Sequence, residues 1–347
     1  RIYYPNVEQK NFEKIPGCPI GYWVSEKIFT GFAGNLALSA VCKPTQGLAT
    51  ADNARFLRFW TEVSYCNIGF DCKTPEEAKL SGLKWFPTTK GGTFRRWYGN
   101  MLYVVNWKND GEELTKFKGA VIRNRWRYFT KCGSTWSTIA SGKPSFRYFS
   151  KSWLFETKGS VCFPENEADN NFILGYLNSP LVTAFLTVLA PTLDYHEGPV
   201  GRIPYKETHD SHIDNLVKDN ISLSKSDWDA HETSWDFQRN ELLAIDAKTY
   251  EDNVRYEEEK RSAETDGHIH EHIQTAPAAP PQFGSLEWRM KQYKLKWERN
   301  FMRLHANEEE LNRLFIGIYG LQDELTPDVP LDEITILQQG EITIEER

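Results

Sequence analysis

Hydrophobic and polar positions change rhythm twice along this chain. Between Leu83 and Phe163 short runs of β-branched and aromatic residues alternate with Gly, Asn and Ser, a texture that predicts strands. The runs with the best pattern are Leu102–Trp107, Val121–Phe129, Phe146–Phe149 and Trp153–Phe155. Before them, residues 1–30 mix aromatics and prolines and end in the apolar stretch Ile20–Ile28. The spacing then predicts a helix over Asp52–Trp60, with Thr50 or Asp52 as its cap and Phe56, Phe59 and Trp60 on one side. After the strands the period lengthens. Asn170–Leu177 and Pro180–Leu189 read as two closely packed helices, with Asn178-Ser179-Pro180 as stop and restart. Ser226–Glu264 is charged and helix-compatible, His268–Gln282 reads as a loop, and Leu286–Leu321 is a long helical stretch interrupted near Ala306–Asn307, with Gly320 as its stop. No internal repeat is visible. The fold class this predicts is α+β: a mixed, β-rich domain over 1–210, then a mostly helical domain over 211–347 with a flexible insertion at 265–284.

A length of 347 residues suits two cores better than one. The composition is globular, 40% hydrophobic and 26% charged, and the 12 tryptophans suit stacking surfaces as well as cores. The longest apolar run, around Phe185–Ala190, falls far short of the roughly 20 residues of a membrane span. With no signal peptide in view, the expected location is cytoplasmic and away from membranes. The first residue is Arg1, which points to a piece of a longer polypeptide. Six scattered cysteines without a CxxC pair read as reduced thiols.

Net charge changes this picture more than composition does. The total of −7 conceals a division: residues 41–150 carry 18 Lys and Arg against 8 Asp and Glu, whereas residues 206–347 carry 16 against 31. A basic segment followed by an acidic one predicts a polyanion-binding surface on the first alone.

Three basic and aromatic clusters supply that surface. In a strand over Arg123-Asn-Arg-Trp-Arg-Tyr-Phe129, the groups Arg123, Arg125 and Arg127 would share one face about 7 Å apart. Their mutual repulsion gains folding nothing, and a phosphate backbone or a guanine edge would relieve it. The bland alternative is a charged edge strand protected from aggregation. The second cluster, Lys90-Gly-Gly-Thr-Phe-Arg95-Arg96-Trp-Tyr98, offers glycine backbone and two guanidinium groups to an anion. The third places Lys143 and Arg147 around a turn entering a strand. Beside them, Gly47–Phe56 is a turn into a helix, with Thr50, Asp52, Asn53 and Arg55 near a helix N-terminus. Other patterns carry less. Phe29–Gly34 lacks the strand–turn–helix context of a nucleotide loop, and Gly142-Lys143 is followed by Pro144. The alternating His268, His270 and His272 read as solvated residues of the insertion, so no metal is expected.

Read together, IPGCPIGYWVSE (15–26), GLATADNARFLRFW (47–60), KGGTFRRWYGN (90–100), TWSTIASGKPSFRY (135–148), LGYLNSP (174–180), PTLDYHEGPVGRIPY (191–205), DWDAHETSWDF (227–237) and ANEEELNRLFIGIYGLQDEL (306–325) occur in an order that resembles the PglX family of adenine-specific DNA methyltransferases of BREX phage-defence systems. The resembling region is the one that follows their catalytic domain, and it covers nearly all of the chain outside 250–285. The family implies an N-terminal domain that binds S-adenosylmethionine and carries an Asn-Pro-Pro-Tyr motif. That motif is absent here, since Pro280-Pro281 is followed by Gln282. The expectation is therefore a chain with no catalytic residue and no cofactor of its own, which reads duplex DNA for the missing methyltransferase domain. Other proteins of the defence system are implied as further partners. The rival reading is a protein-interaction module whose basic face binds an acidic partner or a DNA mimic.

Overall fold

The computed structural model describes residues 8–192, 194–208, 210–266 and 281–337. Most of the expected insertion, with His268, His270 and His272, lies outside the described residues. The chain opens with helix α1 (Glu26–Gly34), followed by β1 (Leu36–Ala37), β2 (Cys42–Thr45) and a one-turn helix α2 (Asn53–Phe56) that runs directly into β3 (Leu57–Phe59). Next come α3 (Pro75–Leu80), β4 (Trp85–Thr89), β5 (Tyr103–Asn106), α4 (Lys108–Lys116), β6 (Gly133–Trp136), β7 (Phe146–Phe149), β8 (Leu154–Phe155) and β9 (Val161–Pro164). The remainder is α5 (Asn170–Leu177), α6 (Pro180–Leu189), α7 (Glu197–Gly201), β10 (Pro204–Tyr205), α8 (Ser211–Asp229), α9 (Ala247–Asp266) and α10 (Leu286–Tyr319). The architecture is α+β.

The chain divides into two compact units, the first made of Arg1–Lys225 with Glu308–Asp328 and the second of Ser226–Asn307 with Val329–Arg347. In the first unit, one antiparallel sheet runs in the order β2-β9-β6-β7. Another runs β3-β5-β4-β8, antiparallel except for the parallel β4–β8 pair. Aromatic side chains fill the space between them. Phe155 of β8 packs 4.8 Å from Tyr128 and 5.3 Å from Phe163 of β9, and Phe86 of β4 meets Phe129 at 5.5 Å. All of these are buried, and each contributes about 1.5–3 kcal/mol of apolar burial. A second apolar cluster joins α5 and α6 to the last turns of α10, where Tyr176 and Tyr319 stack 5.7 Å apart and Phe172 lies 5.3 Å from Phe315.

The second unit is helical among its described residues. Asn253 of α9 is buried and donates to the side chain and backbone carbonyl oxygens of Gln292 on α10, both at 2.9 Å. Lys260 and Tyr256 of α9 both donate to Glu298. Among the described residues no single helix is long and apolar enough to cross a membrane.

Several local expectations are corrected. The helix expected over Asp52–Trp60 ends at Phe56, because Leu57–Phe59 pairs with Tyr103–Val105 of β5. The stretch Val121–Phe129 is not a strand. It makes one bridge, Ala49 with Val121, and then a 3-10 turn at Arg125–Arg127. Helix α10 runs through Ala306–Asn307 without a break and stops before Gly320, whose φ of 68° supplies the left-handed cap. Cys42 and Cys162 lie near one another on the adjacent strands β2 and β9, with Cα atoms 5.9 Å apart.

A basic turn pair as candidate nucleic-acid interface

The GLxTxDN stretch builds a rigid turn. Gly47 is required there, since a Cβ would lie 1.8 Å from the carbonyl oxygen of Phe155. Leu48 then donates to that same oxygen at 3.0 Å. Thr50 is buried, and its hydroxyl donates to Oδ1 of Asn53 at 2.6 Å. Ala51 is left-handed at φ 57°, and the Asp52 carboxylate accepts from the Arg55 amide at 3.0 Å, capping α2. Thr50 and Asp52 therefore brace the turn, while Asn53 and Arg55 are exposed on it. Arg55 forms a two-pronged pair with Glu113 of α4, at 2.9 and 2.7 Å, and lies over the Phe117 ring at 5.1 Å. With that pairing, the Glu113 carboxyl is held below its ordinary range by Arg55 and then by Asn106.

The arginine cluster docks against this turn, although not as a strand. Ala49 and Val121 exchange backbone hydrogen bonds at 2.8 and 2.9 Å. Asn124 takes a left-handed conformation (φ 53°) and donates to the Gln46 carbonyl at 3.0 Å. Arg123 reaches the Gly47 carbonyl at 3.4 Å, and Arg127 donates to the Thr45 hydroxyl at 2.8 Å. Arg125 pairs with Asp110 at 2.8 Å and lies over the Trp107 ring at 5.1 Å. Asp110 is delivered by three successive left-handed residues, Asn109, Asp110 and Gly111, residue types that tolerate that geometry. All three arginines are half-buried, and the guanidinium groups of Arg125 and Arg127 lie over aromatic rings. The indole of Trp126 projects between Arg125 and Arg127 at 67% exposure. Two turns separated by some seventy residues in sequence thus dock on one another, one carrying Arg55 and the other Arg123, Arg125 and Arg127.

The remaining arginine candidates lie elsewhere, and the sequence-based reading of them as DNA contacts needs correcting. Arg147, on β7, is 1% exposed and donates to the Arg95 carbonyl at 3.2 Å and to Ser145 at 3.4 Å. Burial, with repulsion from Arg95 behind it, pulls its pKa down to about 10, so it stays charged at neutral pH. Arg95 is 3% exposed and donates to the carbonyls of Tyr98 (2.8 Å) and Ser224 (3.2 Å). Arg96 is also buried and pairs with Glu308, which accepts from the Trp97 indole at 2.6 Å as well. These three guanidinium groups hold the interior together and are not offered to solvent. Lys143 is exposed, and Tyr98 is half-buried with the Lys225 ammonium 5.1 Å from its ring. Lys90 is half-buried, 5.2 Å from the Tyr103 ring, and desolvation lowers its pKa.

Among the described residues no group of three His, Cys, Asp or Glu is placed to hold a metal. A cleft of about 390 Å³ is lined by Lys84, Asn106, Lys108, Asn109, Glu112, Glu113 and Lys116. Its wall is polar and charged, without the apolar or aromatic face an adenosyl group needs, so it does not fit S-adenosylmethionine.

No protein-family profile matches the chain. It is similar to adenine-specific methyltransferases as a class. The adenine-specific methyltransferase PglX of Lacticaseibacillus casei (strain Zhang) is 34% identical over 341 residues, covering 96% of this chain and 26% of that protein. The adenine-specific methyltransferase BrxX of Escherichia coli O9:H4 (strain HS) is 37% identical over 243 residues, covering 69% of this chain and 19% of that protein. The chain is related to PglX-type adenine-specific methyltransferases and spans about a quarter of the length of the longer-matched relative.

Proposed function

We propose that this chain supplies duplex-DNA recognition to an N6-adenine DNA methyltransferase of a phage-defence system, beside a separate domain that binds S-adenosylmethionine and transfers the methyl group. The observation that carries the reading is the docking of the Gly47–Phe56 turn against the Arg123–Arg127 turn. It brings together two turns, one carrying Arg55 and the other Arg123, Arg125 and Arg127, in a chain whose relatives are adenine-specific methyltransferases. Arg55 and Arg125 are paired with Glu113 and Asp110 near the surface, where such pairs contribute about 0–1 kcal/mol and can be exchanged for a phosphate. Arg side chains are suited both to phosphates and to guanine edges. Asn53 on the exposed turn, Lys90, Tyr98 and Lys143 are further candidate contacts. The acidic helical part is kept off the polyanion by its charge.

The test is selection from a pool of random duplexes by the purified chain. We expect one short sequence to be enriched over successive rounds, because base-edge contacts discriminate by about 1–3 kcal/mol per bidentate pair. Retention of DNA without enrichment of any sequence would reduce the function to positioning. Failure to retain DNA, together with capture of an acidic protein, would favour a protein-interaction module instead.

A further inference from the structure

We propose that Trp126 is a stacking wedge that enters an opened base step of the duplex, an inference that rests on the DNA-binding reading above. Trp126 is 67% exposed, more than any other tryptophan among the described residues, whereas its neighbours Tyr128 and Phe129 are fully buried. Leaving an indole in water forfeits apolar burial that the adjacent core was able to provide. The turn that holds it out is clamped on both sides. Asn124, left-handed, is tied to the Gln46 carbonyl, and the Arg127 amide closes onto the Asn124 carbonyl at 2.9 Å. On the other side Phe129, with a φ of 66°, exchanges backbone hydrogen bonds with Trp153 and Ser152, both at 2.9 Å. A bulky residue at positive φ is strained, and here that strain is held by tertiary hydrogen bonds.

The surroundings select the occupant. Arg123, Arg125 and Arg127 flank the indole within three residues, and the Arg127 guanidinium stacks 4.6 Å from its ring centroid. An exposed aromatic ring that carries a guanidinium beside it is complementary to a nucleobase next to a phosphate, and an apolar protein partner would have to desolvate that charge. Methylation of adenine N6 requires the base to leave the stack, and the step it vacates has to be filled or stabilised. An indole held rigidly at a basic rim has the shape and chemistry to fill it.

The experiment compares binding of the full chain to a short intact duplex and to the same duplex with one abasic position, in which the unstacking is already done. Wild type is expected to prefer the abasic duplex by about tenfold, within the range of base–aromatic stacking. Trp126→Ala should lose that preference while its thermal midpoint stays near that of wild type, as suits an exposed side chain. Trp126→Phe should retain much of the preference, because a ring remains. Equal affinities of wild type for the two duplexes, or a preference that survives in Trp126→Ala, would overturn the wedge and leave the DNA-binding reading standing. Absence of binding to either duplex by wild type would overturn both.

Discussion

Replacing Glu308 by alanine is expected to destabilise the chain by about 3–5 kcal/mol, the cost of stripping the partner from a buried charge. The Glu308 side chain is 2% exposed and the Arg96 side chain 10%, so both charges are out of water. The same carboxylate accepts from the Trp97 indole, so its loss also takes a partner from a fully buried tryptophan. A change of this size should lower the thermal midpoint by roughly 5 °C in a chain of this length. Glu308→Gln should cost less, since an amide oxygen still accepts from the indole and the guanidinium. The contrast with Arg55 and Glu113 is instructive: that pair is about half-exposed on each side and its removal should cost no more than about 1 kcal/mol. Thermal melts of the four variants Glu308→Ala, Glu308→Gln, Arg55→Ala and Glu113→Ala separate the two kinds of pair. A Glu308→Ala midpoint within a degree or two of wild type would show that the interior does not depend on this contact. If Glu308→Ala melts as early as expected, an Arg96→Ala variant that loses DNA binding is read as a damaged fold.

The combined variant Arg123→Gln, Arg125→Gln, Arg127→Gln is expected to lose duplex affinity by about a hundredfold or more at low salt, the effect of removing about three phosphate contacts. Its stability should change little. Arg125 pairs with Asp110 at the surface, where an ion pair contributes about 0–1 kcal/mol, and glutamine at 127 can still donate to the Thr45 hydroxyl. A large fall in binding with an unchanged melt therefore identifies a contact surface. Comparable losses in both measurements would show that these arginines act through the fold, as Arg95, Arg96 and Arg147 do.

Much of the scaffold was legible because its signals are local. Phe146–Phe149 and Tyr103–Asn106 are aromatic and β-branched runs between turn residues, and they are strands as read. Ser179 followed by Pro180 marks the start of α6, where a missing amide hydrogen does no harm. Cys42–Thr45 was not legible, because Pro44 argues against a strand. It is tolerated because β2 is an edge strand of its sheet. Gly133–Trp136 has too little hydrophobic character to stand out, yet every residue in it is buried.

The site shows the same limit more sharply. Alternating Arg and aromatic residues over 123–129 have strand composition, but the left-handed Asn124 and the tertiary bonds to Thr45, Gln46 and Gly47 override it. Residue type also misled at Arg95, Arg96 and Arg147. An arginine is far more often exposed than buried, and only the positions of Ser145, Ser224 and Glu308, up to two hundred residues away, turn these three inward. The grouping of Arg55 with Arg123, Arg125 and Arg127 had a visible signal in the shared excess of positive charge. The sequence carried no sign of which cations would meet.

The central claim is that the basic turn pair binds the backbone of duplex DNA, and its most direct measurement is the affinity of the chain for a duplex as a function of salt. With several phosphate contacts, affinity should fall by roughly a hundredfold between about 50 and 200 mM salt, and the logarithmic slope should flatten by about 0.9 for each arginine of the turn replaced by glutamine. A flat response, or no binding at the lowest salt, would contradict the account.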